Sequence, residues 1–130
     1  MKLGHVIIYV KDVVKSVEFY EKAFGLKRSF IDPTSMYAQM ETGNTALGFA
    51  KDELATSNIN LEYHKNHIDD RPSGFEVSFA VPNVKAAYEK ALANGCIKVA
   101  DPEEKPWGQE VAFVRDLNGI LVEMASEMEK

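Results

Sequence analysis

The chain has 130 residues, 45% of them apolar and 27% charged, a balance that fits one globular domain with a real core and is short for two independent ones. Fifteen Lys and Arg against twenty Asp and Glu leave a formal charge of -5 with no basic cluster, which argues against nucleic acid as a partner. Apolar runs are strand-length and the amino terminus lacks a basic segment leading into a signal-length apolar stretch, so neither a membrane span nor export is expected.

Residues 3–10 alternate as a strand, with His5, Ile7 and Tyr9 on one face and Val6, Ile8 and Val10 on the other. Asp12 can accept bonds from the free amides of the next turn, so a helix is predicted from there through Phe24, with Val13, Val17, Tyr20 and Phe24 as its buried stripe. Gly25 supplies the left-handed residue that stops it. Residues 26–31, 36–41 and 45–50 then read as three strands, separated by Asp32-Pro33-Thr34 and by Thr42-Gly43-Asn44. The stretch 51–73 is polar and without a sustained period, and is expected to be a long connection carrying at most one short strand at 59–63.

The second half repeats the phrase. Phe75, Val77, Phe79 and Val81 alternate against Glu76, Ser78 and Ala80, Asn83 caps a helix with Val84, Ala87, Tyr88, Ala91 and Leu92 inward, and Gly95 ends it. Cys96 follows, the one cysteine of the chain, expected to pack as a small apolar side chain; without a disulfide partner it suits a reducing compartment, the cytoplasm. Strands are predicted at 97–100, 110–115 and 120–125, with the turn Asp116-Leu117-Asn118-Gly119 before the last. A spacing of 71 residues separates Val10 from Val81, Asp12 from Asn83 and Val13 from Val84, and 70 separates Gly25 from Gly95. The predicted organisation is therefore α+β: two tandem βαβββ modules, 1–50 and 74–130, joined by the linker 51–73.

The duplication places Glu76 where the first module has His5. Glu123, inside the apolar run Gly-Ile-Leu-Val-Glu-Met-Ala, needs a partner, because an unpaired buried carboxylate is expensive; Lys, Arg or a metal ion would each satisfy it. Aligning Asn44 with Gly119 sets Gly48 against Glu123. His64 and His67 lie in the polar connection and read as solvated. Tyr9, Tyr37, Met40 and Phe49 could line an apolar pocket, with core filling the default. Arg115 could meet an anionic substrate or pair with a neighbouring acid.

The opening Leu-Gly-His-Val-Ile-Ile-Tyr-Val-Lys-Asp-Val, Phe19-Tyr20, Phe24-Gly25-Leu26, and the closing Phe113-Val114-Arg115-Asp116 with Gly119-Ile120-Leu121-Val122-Glu123 resemble the vicinal oxygen chelate superfamily. That group includes glyoxalase I, bleomycin-resistance proteins and extradiol dioxygenases. The resemblance covers nearly the whole chain. It implies cupped mixed sheets and a divalent metal (Zn, Ni, Co, Mn or Fe(II)) on His5, Glu76 and Glu123, with Glu76 and Glu123 also catalytic. The fourth ligand position falls at Gly48, or at Leu47 or Phe49, none of which coordinates through its side chain, whereas glyoxalase I uses a glutamate there. The loop Lys105-Pro106-Trp107-Gly108-Gln109 resembles one that covers the cavity mouth, so Trp107, with Tyr9, Phe49 and Arg115, is an expected substrate contact. Two functions follow from the resemblance: a metal-dependent lyase, isomerase or dioxygenase acting on a small oxygen-chelating substrate, or a metal-free binding protein of the bleomycin-resistance kind. Either is expected to be a homodimer.

Overall fold

The structure, a computed structural model of the chain, describes residues 1–127. It divides into two compact units, Met1–Asn66 and His67–Lys130.

In the first unit the elements run β1 (His5–Val10), α1 (Val13–Phe24), β2 (Lys27–Ile31), β3 (Tyr37–Glu41), β4 (Ala46–Lys51) and α2 (Asp52–Ile59). Asp12 caps α1 through a 3.0 Å bond from the Lys15 amide to its carboxylate, and Gly25, at φ 67°, turns the chain out of the helix. The sheet order is β1-β4-β3-β2, with β1 and β4 parallel and the other neighbours antiparallel. Helix α1 lies on β2, β3 and β4, burying Val13, Val17, Tyr20 and Ala23 against Ile8, Val10, Ala38, Met40, Leu47 and Phe49.

The expectation of an irregular 51–73 is corrected by α2, and no strand forms at 59–63. Its apolar signal is weak because only Asp52 and Ala55 are buried. Asp52 and Glu53 in the first turn favour the positive helix end, and Asn60, left-handed at φ 49°, closes the last turn. The Tyr63 hydroxyl donates to the buried Asp52 carboxylate at 2.6 Å, fastening the following segment to this helix.

The second unit runs β5 (Glu76–Ala80), α3 (Val84–Ala93), β6 (Ile97–Glu104), β7 (Glu110–Arg115) and β8 (Leu121–Ala125), in the sheet order β5-β8-β7-β6. Asn83 caps α3 by accepting from the Ala86 amide at 3.0 Å. Val84, Tyr88 and Ala91 pack with Ala112, Val114, Val122 and Met124. Cys96 is buried, and burial, followed by the charge of Asp116, pushes its thiol up to about 12, so it is inert near neutrality. In the turn 116–119, the Asp116 carboxylate accepts from the amides of Asn118 (2.7 Å) and Ile120 (2.9 Å), with Gly119 at φ 81°. Among the described residues no helix is long and apolar enough to cross a membrane.

Candidate functional site

Each sheet covers its helix with one face and leaves the other open. In the second unit, strand alternation puts Glu76, Ser78 and Ala80 on the open face of β5, and the parallel register sets Ser78 beside Glu123 of β8. The Ser78 hydroxyl donates to Glu123 Oε1 at 2.5 Å, fixing one carboxylate oxygen. Burial pushes the Glu76 carboxyl above its ordinary value, and the negative charge of Glu123 adds to the shift. Among the described residues no Lys, Arg or His forms an ion pair with either glutamate. Two neighbouring carboxylates without a counter-charge are a place for a cation or for a shared proton.

In the first unit the same alternation puts His5, Ile7 and Tyr9 on the open face. His5 is exposed, and Tyr9 is half-buried, its ring 5.1 Å from that of Tyr63. The register also decides the position that the sequence left open among Leu47, Gly48 and Phe49. Gly48 lies beside Ile7 as Glu123 lies beside Ser78, and Ile7 and Ser78 are 71 residues apart, the spacing of the repeat. The counterpart of Glu123 is therefore Gly48. Its face is covered by Tyr37, since a Cβ built on Gly48 would stand 2.7 Å from the Tyr37 hydroxyl and 3.2 Å from Ile7 Cγ1.

Two of the expected substrate contacts are engaged within the protein. Phe49 faces α1, is fully buried, and packs its ring 5.0 Å from that of Tyr20, so it belongs to the core. Arg115 lies on the open face, but its guanidinium donates to the backbone carbonyls of Gly119 (2.9 Å), Ile68 (3.1 Å) and Asp70 (2.7 Å). It clamps the segment entering the unit. Trp107 sits between β6 and β7 with 64% of its surface exposed and its indole N–H bonded to Gln109 Oε1 at 2.9 Å.

Of the three expected metal donors, His5 belongs to the first unit, and Glu76 and Glu123 belong to the second. The carboxylate pair suits a hard divalent ion, being oxygen-rich and uncompensated. Among the described residues, no three His, Cys, Asp or Glu side chains stand together as a metal-binding group.

A model of the Glyoxalase/Bleomycin resistance protein/Dioxygenase superfamily matches residues 2–124. The chain belongs to this superfamily. An uncharacterized protein of Bacillus subtilis (strain 168), YraH, is 30% identical over 125 residues, which cover 95% of this chain and 97% of that one. Of solved structures, a glyoxalase-related enzyme from Fulvimarina pelagi superposes with a TM-score of 0.84 at 18% identity, covering 98% of this chain and 88% of its own. A glyoxalase/bleomycin resistance protein/dioxygenase family enzyme from Burkholderia phytofirmans PsJN gives 0.77 at 20% identity, covering 97% and 98%. At such identities the likeness carries the fold. The two βαβββ units of this superfamily member thus differ in their open faces. Where one has Ser78 beside Glu123, the other has Ile7 beside Gly48.

Proposed function

We propose that this chain is a glyoxalase-like, metal-dependent enzyme of its superfamily, a lyase, isomerase or dioxygenase acting on a small substrate with adjacent oxygens. One observation carries the proposal: Glu76 and Glu123 lie close enough for charge repulsion on an open sheet face and, among the described residues, neither forms an ion pair with a basic side chain. Glu76, Glu123 and the repeat-equivalent His5 are the donors this reading assigns. A divalent ion, if held by these residues, would supply positive charge against negative charge developing on substrate oxygens. Ser78 keeps the Glu123 carboxylate in one orientation. Glu76, whose proton affinity is raised, is the residue suited to hold and return a substrate proton.

The test is elemental analysis of protein purified without chelator and after reconstitution with each divalent ion. Stoichiometric metal is expected in the wild type and is lost in Glu76→Gln, Glu123→Gln and His5→Ala, with circular dichroism unchanged. Wild-type protein that stays metal-free after reconstitution sinks the reading. A metal-free binding protein of the bleomycin-resistance kind would then take its place, a second reading favoured by the phenol of Tyr37 over Gly48, where a fourth ligand would stand.

A further inference from the structure

The open face of the first unit carries a polar group set into an apolar, aromatic surface. Ile7 of β1 and Phe30 of β2 are 44% and 43% exposed, and the Phe30 and Tyr37 rings lie 6.0 Å apart. Between them the Tyr37 hydroxyl is brought down over β4 by the lack of a side chain at Gly48. Gln39, two residues along β3 and on the same face, donates its side-chain N–H to that hydroxyl at 2.9 Å. The hydroxyl accepts this bond, and among the described residues its own proton goes to no acceptor. A phenol has one proton to donate, and accepting a hydrogen bond polarises it for donation. Gln39 also lines a recess of about 430 Å³ with Ser29, Glu41, Thr42, Gly43 and Ala46.

These observations have one reading in common. We propose that Tyr37 and Gln39 form a ligand-binding dyad on the first unit's open face. The dyad takes a small aromatic molecule through an acceptor oxygen, with the Tyr37 O–H as donor and the rings of Phe30 and Tyr37 as its apolar bed. The aromatic class follows from the exposed rings and Ile7, and the acceptor oxygen from the unspent donor. Gly48 is then a specificity residue, since any side chain there displaces the phenol. The inference goes beyond the metal reading and requires no metal.

Titration of EDTA-treated protein with 2-naphthoate, an aromatic probe bearing acceptor oxygens, followed by calorimetry, tests it. Saturable binding is expected in the wild type. Tyr37→Phe, which keeps the ring and removes only the hydroxyl, should weaken it by about three- to tenfold, the worth of one hydrogen bond. Gly48→Ala should weaken it likewise, because the new methyl would stand 2.7 Å from the hydroxyl and push it aside, while the variant keeps the Tyr37 side chain. Thr56→Ala, at a different recess of the same unit, should bind as the wild type does. Absence of saturable binding in the wild type, or wild-type affinity in folded Tyr37→Phe and Gly48→Ala, overturns the proposal.

Discussion

At the scale of single residues, the second unit's open face is governed by Glu76. Its carboxyl is pushed up first by burial and then by Glu123, so the folded chain binds that proton more tightly than the unfolded chain does. Above the raised value the ionised side chain costs stability; as pH falls through it towards the ordinary 4.5, both states take up the proton and the cost disappears. In EDTA-treated protein, Glu76→Gln should therefore raise the melting temperature at neutral pH, with the gain fading in acid. Thermal melts across pH check this, and a lower melting temperature at neutral pH would mean that the ionised carboxylate is held by a partner. Neither the shift nor the Ser78 bond could be read from the chain, because both come from strands whose residues are 45 and more positions apart. The residue types were legible, and the duplication singled out Glu76 and Glu123 through local patterning alone.

At the scale of elements, the two capped helices carry the local logic of the fold. Asp12 and Asn83 stand at equivalent places in the repeat, and each satisfies a first-turn amide at 3.0 Å. Asp12→Ala should cost about 1 kcal/mol and Asp12→Ser much less, measured as a shift in denaturant midpoint at unchanged slope. An unshifted midpoint for Asp12→Ala would show that α1 is held by packing alone. These elements were legible because a cap, a stripe and a left-handed glycine act within a few residues of one another. Helix α2 was not. Its sequence buries little, and what settles it is a bond from Tyr63 to Asp52, made after the chain has already left the helix and come back.

At the scale of the molecule, each unit builds its core between its own helix and its own sheet. Phe49→Ala removes a fully buried ring from the first core and should cost about 3–5 kcal/mol, a large share of the roughly 5–15 kcal/mol that holds a domain folded. Amide exchange should accelerate more in Met1–Asn66 than in His67–Lys130, and equal acceleration in both would show that the two cores unfold as one. By itself the sequence determined the duplicated βαβββ order, both helices with their caps, and the residue types available for chemistry, since each rests on periodicity and on contacts near in the chain. Only tertiary structure decided which face of β4 is open. That strand is buried through its middle and shows no alternation of its own, so its parallel register with β1 sends Phe49 to the core and Gly48 to the open face. The β3–β4 pairing brought Tyr37 over Gly48, and in the second unit the segment at 68–70 drew Arg115 onto its backbone carbonyls, contacts that depend on where segments meet rather than on what any one of them contains.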